Sequence, residues 1–295
     1  MRKLLFFACF CLFLNLFFPA CFSKLYAQQD SIDKPVQLKV LSWNIFMLPE
    51  YITFTNKVER AFEIGEMLRT SDYDIIVLQE AFMKKARTII YEMIKDSFPY
   101  IIEPANTAGI SFKFNSGVWI LSKVKLEVLG TTRFKYCKVA DCMARKGATM
   151  VEGEKNGKKF QLIGTHLQAE NYPFIRKKQF GQIQSELIAR FSRKNVPLII
   201  GGDLNTEKMD TLNYKDMLTS LDAEDGDLDG EVQATWGGMN YKFNKKDKNP
   251  ILDYILLRKN GKKVHVFRRK VNIFRSKKAD YNLSDHFGVE MQMVF

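Results

Sequence analysis

Eight polar residues stand at or near the ends of short apolar segments, and their types suit hydrolytic chemistry. Two are histidines, which transfer protons near neutral pH. The other six are carboxylates and amides, whose oxygens bind hard divalent cations. The set is Asn44, Glu80, His166, Asp203, Asn205, Asp253, Asp285 and His286. This combination favours metal-assisted hydrolysis of a phosphate ester.

The histidines need a carboxylate partner to orient their rings. Asp285 directly precedes His286, but neighbouring residues of a strand point to opposite faces, so this pairing cannot be assumed. Asp253 lies inside an apolar run, where an unpaired charge would be costly. We therefore predict that Asp253 orients the catalytic histidine, and we assign no role to His265 in its basic strand.

The remaining acids and amides divide into a metal group and a phosphate group. Glu80 follows the apolar run Ile75–Gln79, and Asn44 follows a similar run. Such oxygen ligands suit Mg²⁺, which keeps several waters and takes few protein carboxylates. Asp203 and Asn205 follow the glycine pair Gly201-Gly202. Asp203 can polarise a water, and Asn205 can donate to a phosphate oxygen. An Asp/Asn turn would explain that segment equally well if it stood alone.

Strand-like and helix-like segments alternate along the chain and must position these residues. Apolar runs that are β-branched or alternating predict strands at Leu38–Asn44, Ile75–Gln79, Gly117–Ser122, Phe160–Thr165, Val196–Gly201, Ile251–Leu257 and Phe287–Val294. Apolar residues at helical spacing predict helices at Lys57–Arg69, Lys84–Lys95 and Phe174–Arg193. We therefore predict two packed sheets covered by helices, with the polar strand ends meeting on one rim.

The N-terminus has the layout of a secretory signal peptide. A basic start precedes the apolar run Leu4–Phe18, which is too short to span a membrane and is followed by small residues. We predict cleavage after Ala27, which leaves residues 28–295 as one catalytic domain. Attachment of a lipid to Cys21 is the alternative.

Two cysteines, Cys137 and Cys142, remain in the predicted mature chain. Export would permit a disulfide between them. Sequence spacing alone does not decide between a bridge and two free thiols, because bridging depends on the distance between their Cα atoms.

The composition is that of a soluble globular protein with a strong positive charge. The 295 residues are 46% hydrophobic and 26% charged, fractions that do not suggest a disordered or fibrous chain. The formal net charge is +12. A positive field attracts polyanions or anionic membranes, but it does not choose between nucleic acid and phospholipid.

Two charged segments lie in the C-terminal third. The acidic segment 222–231 mimics the opening of a calcium-binding loop, but Trp236 stands where a bidentate glutamate belongs, so we predict a solvated loop. The basic segment Arg258–Lys278 is expected to be a solvated face. Ile273 and Phe274 among its cations leave membrane contact open.

Taken together, the motifs resemble those of the endonuclease/exonuclease/phosphatase superfamily, in the same order and over almost all of the mature chain. They are Ser42-Trp43-Asn44, Leu78-Gln79-Glu80, Gly164-Thr165-His166, Gly202-Asp203-Leu204-Asn205, Leu252-Asp253-Tyr254 and Ser284-Asp285-His286. Within the superfamily the chain is most similar to bacterial and neutral sphingomyelinases. The marks of that similarity are Asn44–Pro49, Thr165–Ala169, and Asp141 followed by Lys146-Gly147.

This resemblance implies a four-layer α/β/β/α sandwich that hydrolyses sphingomyelin to ceramide and phosphocholine with Mg²⁺, by in-line attack of water. It implies that Glu80 binds the metal with Asn44 close by, and that Asp285 supports the metal end. It also implies that His286 is the general base, oriented by Asp253, and that His166 is an acid contacting the phosphate. Asp203 and Asn205 would position water and phosphate, and Lys146 would bind the phosphate.

Two departures from the family pattern concern membranes more than catalysis. Gly288 stands where the family commonly has proline, and the stretch before Ser284 is basic, without the tryptophan-rich membrane-inserting hairpin of secreted toxins. The expected partner is sphingomyelin in membranes or micelles, with an anionic membrane surface as a further one, and the chain is expected to be a monomer. Nucleic acid is less favoured. The alternatives are a secreted nuclease, another phosphoesterase of the superfamily, or a lipid-binding module without catalysis.

Overall fold

The structure is a computed structural model that describes residues 34–49, 51–53, 55–106, 114–244 and 248–295. The predicted leader, residues 1–27, lies outside these ranges. No helix among the described residues is long and apolar enough to cross a membrane.

The first sheet has seven strands. They are β1 (Gln37–Met47), β2 (Ile75–Ala81), β3 (Tyr100–Ile102), β4 (Trp119–Ser122), β9 (Asp227–Asp229), β11 (Val266–Asn272) and β12 (Gly288–Val294). Their order across the sheet is β3-β4-β2-β1-β12-β11-β9, and β1 pairs parallel to β2 and antiparallel to β12.

The second sheet has five strands in the order β10-β8-β7-β6-β5. They are β5 (Leu126–Arg133), β6 (Gly147–Lys155), β7 (Lys158–His166), β8 (Leu198–Asp203) and β10 (Asp253–Arg258). Strands β7 and β8 are parallel, whereas β10 runs antiparallel to β8.

Helices cover the outer face of each sheet. Helices α1 (Lys57–Arg69) and α2 (Lys84–Ile94) pack on the first sheet, and α3 (Pro173–Ile183) and α4 (Thr211–Leu221) pack on the second. Helix α3 continues through a π-helical stretch, Gln184–Ile188, into a last turn at Ala189–Phe191. The order helix, sheet, sheet, helix confirms the predicted four-layer sandwich.

The central strands read as continuous apolar runs because both of their faces are buried. In β2, Ile75 and Val77 face the core between the two sheets, whereas Ile76 and Leu78 face α1 and α2. Alternate residues of one strand thus serve two cores, which fixes the register and with it the direction of the polar residues at the strand end.

The predicted strands and helices are all present, with ends shifted by a few residues. Helix Lys57–Arg69 has the predicted bounds, and the predicted helix Phe174–Arg193 begins one residue earlier and contains the π-helical stretch. Strands β3, β5, β6, β9 and β11 and helix α4 are not among the predicted elements. Helix α4 begins at Thr211 because the side chain of Asp210 caps it, accepting from Asn213 N at 3.3 Å.

The prediction of a solvated acidic loop at 222–231 is wrong for part of that segment. Asp227–Asp229 forms β9 against β11, and the side chain of Asp225 is buried and paired with Arg269. Lys208 Nζ and the Tyr214 hydroxyl also reach Asp225 Oδ2, at 2.9 and 2.5 Å. The carboxylate is buried because three distant groups satisfy it, which no local sequence pattern reveals.

Candidate active site

The strand register brings residues from both sheets to one rim of the sandwich. In the second sheet, Asp203 at the end of β8 lies opposite Asp253 at the start of β10 and His166 at the end of β7. In the first sheet, Asn44 near the end of β1 lies opposite Gln79, one residue before Glu80. The predicted convergence of polar strand ends is therefore present in the structure.

His286 lies between two buried carboxylates. Its Nδ1 is 2.9 Å from Asp253 Oδ2, and its Nε2 is 3.8 Å from Asp203 Oδ2. Burial disfavours the imidazolium, but the charges of Asp253 and Asp203 outweigh it and raise the pKa of His286 to about 10. Asp253 thus holds the ring by a hydrogen bond at Nδ1. The other nitrogen, Nε2, makes no hydrogen bond to Asp203 and faces the site.

Asp203 connects the two sheets at the bottom of the site. Its Oδ2 accepts from Asn44 Nδ2 at 3.1 Å, and its Oδ1 accepts from the backbone N of Asn205 at 3.1 Å. Burial, and then the charge of Asp253, raise the pKa of Asp203 to about 7. Asn205 has a left-handed backbone with φ of 49°, and its side chain donates to Leu167 O at 3.2 Å.

Lys146 is fixed against His166 by three contacts. Its Nζ lies 2.7 Å from Asp141 Oδ1, 3.0 Å from Leu167 O and 2.9 Å from His166 Nε2. An ammonium group can only donate, so His166 Nε2 must accept and be unprotonated. Burial, followed by the charges of Lys146 and His286, accordingly holds the pKa of His166 well below its usual value.

This arrangement sharpens two expectations. The three protons of Lys146 are all engaged with the protein, so a phosphate bound by Lys146 would replace one of these contacts. His166 is neutral, with its buried Nδ1 lacking a hydrogen-bond partner among the described residues. Its assignment as an acid stays a prediction.

Glu80 carries a buried carboxylate oxygen that no described residue satisfies. Its Oε2 lacks a hydrogen-bond partner, and its backbone has φ of 53°, a left-handed conformation that is costly for a non-glycine residue. Burial raises the pKa of Glu80, whereas nearby Lys146 and a hydrogen bond from Asn44 oppose that rise. An unsatisfied acidic oxygen beside an amide is a donor set that fits Mg²⁺.

A second group, formed by Asp203, Asp253 and His286, also has ligand atoms within 4.8 Å of one another. A cation could be held there in principle. However, the Nδ1 of His286 is already engaged by Asp253, and the raised pKa of His286 indicates that this ring attracts a proton. We therefore regard Glu80 and Asn44 as the better candidates for a metal site.

Asp285 occupies the edge of the same site. Its Oδ1 lies 3.3 Å from the Ser284 hydroxyl, and its charge acts on both Glu80 and His286. Asp253, not Asp285, forms the hydrogen bond to the His286 ring, as predicted, although Asp285 and His286 precede β12 and do not lie within a strand.

Sequence reasoning missed the residues that support this site from behind. Arg60 of α1 is fully buried and donates to Leu283 O at 2.9 Å, to Phe46 O at 3.0 Å and to Ile45 O. It therefore ties the segment after Asn44 to the segment before His286. The available signal was its position one turn before Ile64, on the apolar face of the helix.

A cleft of about 300 Å³ opens beside the candidate metal and phosphate groups. Glu80, Asp141, Lys146 and His166 line its polar side. The other walls are mostly apolar and comprise Leu48, Tyr51, Ile52, Phe82, Phe114, Ala140, Met143 and Ala144. The site could thus hold a phosphate ester that carries an apolar substituent.

The loop between β5 and β6 is closed by a disulfide between Cys137 and Cys142, whose Cα atoms are 5.2 Å apart. This answers the question that the sequence left open. The bridged segment contains the 3₁₀ turn Val139–Met143 and so carries Asp141, the partner of Lys146.

Comparisons with known proteins agree with this geometry. The model of the Endonuclease/Exonuclease/phosphatase family matches residues 41–286. Sphingomyelinase C 2 of Leptospira interrogans is 30% identical over 251 residues, which are 77% of this chain but 40% of that protein. Phospholipase C of Staphylococcus aureus is 27% identical, over 90% of this chain and 89% of its own length. The chain thus spans less than half the length of the Leptospira sphingomyelinases it matches.

Solved structures show the same fold. A double mutant of beta toxin from Staphylococcus aureus, with bound magnesium ions, superposes with a TM-score of 0.75 at 27% identity. The match covers 87% of this chain and 99% of that one. Sphingomyelinase C from Streptomyces griseocarneus, at 23% identity and a TM-score of 0.73, also shares the fold. The chain belongs to the endonuclease/exonuclease/phosphatase family and is a hydrolase of that superfamily.

Proposed function

We propose that the protein is a secreted, Mg²⁺-dependent phosphodiesterase that hydrolyses sphingomyelin to ceramide and phosphocholine. Relatives named as sphingomyelinases support the substrate, at about 30% identity. The apolar cleft beside Glu80 and His166 supports a substrate whose phosphate carries an apolar group.

The position of His286 is the observation that carries the proposal. Asp253 holds its Nδ1, and its Nε2 lies 3.8 Å from Asp203, beyond hydrogen-bonding distance. In the neutral form of the ring, that nitrogen would accept a proton from a water that attacks phosphorus, so the base role requires loss of the proton that the raised pKa of His286 favours in the metal-free protein. Asp253 fixes the ring orientation and stabilises the imidazolium that forms, as a buried carboxylate does in other base-activated hydrolases.

The opposite side of the site would hold the phosphate. Asn205 has a second amide proton that can be directed to a phosphate oxygen, and Asp203 can accept from the attacking water. Lys146 lies beside the apolar cleft and would neutralise charge on the phosphate oxygens as it increases in the transition state, whereas the neutral His166 ring would contact the phosphate only by hydrogen bonding.

Glu80 and Asn44 would hold the metal, with Asp285 behind them. When bound, Mg²⁺ supplies positive charge against the phosphate oxygens. The beta toxin structure with magnesium supports this assignment only as a relative of the same fold.

We also propose that residues 1–27 direct export and that residues 28–295 form the mature catalytic domain. The Cys137–Cys142 bridge supports export, because disulfides persist mainly in oxidising compartments.

A substrate panel tests the proposed function. Purified protein with Mg²⁺ is offered sphingomyelin vesicles, plasmid DNA and an inositol phosphate at equal enzyme concentration, with His286→Ala as the inactive control. We expect release of phosphocholine without nicking of DNA. The nuclease alternative draws support from the net charge of +12. Nicking without phosphocholine release would favour it and reject the proposal.

A further inference from the structure

Exposed apolar side chains are concentrated around the mouth of the active site. Among the described residues, ten of the thirteen large exposed ones lie on the connections or helix starts that follow the strand ends at the rim, among them Tyr51, Tyr136, Phe174, Met209 and Leu212. Only Phe62, Tyr100 and Val128 lie elsewhere. The four most exposed are Met209 (82%), Tyr51 (74%), Leu212 (71%) and Phe174 (67%), and all four are at the rim.

Three of these residues lie at the adjoining ends of two helices. Strands β7 and β8 are parallel neighbours, so the helices that follow them, α3 and α4, begin side by side at the rim. Phe174 lies in the first turn of α3, Met209 precedes α4, and Leu212 lies in its first turn.

Tyr136 joins this group through a shared lysine. Lys178 Nζ is 4.2 Å from the ring centroid of Tyr136 and 4.6 Å from that of Phe174. We call Tyr136, Phe174, Met209 and Leu212 the α3–α4 patch. Exposed aromatic and aliphatic tips next to a lysine are typical of surfaces that enter the headgroup region of a bilayer.

We propose that the α3–α4 patch docks the enzyme on a membrane of choline phospholipids, with the active-site mouth facing the lipid. The proposal rests on the proposed function, since it concerns how the same site reaches a substrate in a bilayer. The patch lies at the helix starts that directly follow His166 and Asp203, so insertion of its side chains would bring the mouth to the headgroups.

The charges near the patch match a zwitterionic surface better than an anionic one. Lys177 pairs with Asp216 at 2.8 Å, and Asp210 lies between Met209 and Leu212. Cations and acids thus alternate at this edge. The β11–β12 connection, residues 273–287, carries no large exposed apolar side chain, so it offers no equivalent contact. A protein partner is less favoured, because apolar residues on several loops form separate protruding tips around the mouth.

The test compares a triple variant with a matched control. The triple variant carries Phe174→Ser, Met209→Ser and Leu212→Ser; the control carries Tyr100→Ser and Val128→Ser, which remove exposed apolar residues away from the rim. Binding is measured by co-sedimentation with vesicles of sphingomyelin and phosphatidylcholine, with chelator present to prevent turnover. Each apolar side chain that inserts even partly into the bilayer favours binding. Loss of three of them should therefore weaken binding by about tenfold or more, which corresponds to about 1.4 kcal/mol or more.

Hydrolysis is measured on sphingomyelin vesicles and on a water-soluble ester, p-nitrophenyl phosphocholine. We expect the rate of hydrolysis on vesicles to be about tenfold or more lower for the triple variant than for the wild type. Its rate on the soluble ester and its melting temperature should equal those of the wild type. The control should match the wild type in every assay. Binding should persist at high salt, because apolar contact is screened little.

Several results would overturn the proposal. They are unchanged vesicle binding by the triple variant, equal losses in variant and control, or binding that requires anionic lipid and disappears in high salt. If Phe62→Ser alone weakens vesicle binding, the docking surface is instead the groove formed by Phe62, Met67, Met93 and Phe274. If the wild type hydrolyses neither phosphocholine substrate, the proposed function fails, whereas sedimentation still reports on docking.

Discussion

The imidazole Nδ1 of His286 lies 2.9 Å from the carboxylate Oδ2 of Asp253, although the two residues are 33 positions apart; Asp253 begins β10 of the second sheet, whereas His286 lies two residues before β12 of the first. The side chain of Asp253 is buried, and its position at the start of β10 is fixed by pairing with Asp203 on β8. The orientation of the proposed base therefore depends on the packing of the two sheets.

Replacing this carboxylate tests its role. Asp253→Asn keeps the shape but removes the charge that orients and stabilises the imidazolium, so kcat should fall by about 10²- to 10⁴-fold. Asp227→Asn, at an exposed position of β9, is the control and should leave kcat unchanged. A kcat for Asp253→Asn within a few-fold of the wild type would contradict the assignment.

The raised pKa of His286 predicts how stability changes with pH in the metal-free protein. The charged groups around this ring are Asp253, Asp203 and Asp285, and they raise its pKa from 6.5 to about 10. A group with a raised pKa stabilises the fold fully below its unfolded pKa and loses that contribution as pH rises through the folded pKa.

The free energy of unfolding of wild type minus that of His286→Gln should therefore shrink between pH 6.5 and about 10. Denaturant titrations in chelator-containing buffer measure it, with exposed His265→Gln as the control. A difference independent of pH would show that His286 is not held as a cation by these carboxylates.

Lys146 is predicted to act on catalysis more than on folding. Lys146→Met removes the cation that bridges Asp141 to His166, so kcat should fall by about 10²-fold. Lys135→Met, which removes only a surface pair with Glu186, should have no effect. Steady-state kinetics and melting curves measure the two effects separately; a lower melting temperature with unchanged kcat would make Lys146 purely structural.

Arg60 is predicted to act on stability. Arg60→Met leaves the buried carbonyls of Ile45 and Leu283 without their donor, which should cost about 3 kcal/mol or more of unfolding free energy. Arg69→Met on the same helix removes only an exposed pair with Glu66 and should leave the free energy of unfolding nearly unchanged. Urea titration measures the free energy of unfolding of both variants. Equal losses would contradict the role of Arg60 in joining the segment after Asn44 to the segment before His286.

Features determined by local patterns were predictable from the sequence, whereas features determined by distant contacts were not. The runs around Ile75 and Leu198 identify central strands because burial on two faces leaves few polar positions. The choice of Asp253 follows from the cost of an unpaired charge inside an apolar run, a cost that the hydrogen bond to His286 removes. Each of these inferences uses only neighbours in the chain.

Arg60 and Asp225 show the limit of such reasoning. Each is charged and would be expected at the surface, yet each is buried because partners distant in sequence satisfy it. Strand β5 was missed for a different reason: it pairs at the sheet edge and exposes much of its length, which weakens its apolar pattern.

Magnesium titration of phosphocholine release tests the central claim most directly. Wild-type protein on sphingomyelin vesicles should be inactive with chelator and should recover activity as Mg²⁺ is added. Glu80→Gln should need about tenfold or more Mg²⁺ for half-maximal rate, whereas His286→Gln should lose rate without a change in that requirement. Release that persists in chelator, or no release at any Mg²⁺ concentration, would contradict the account.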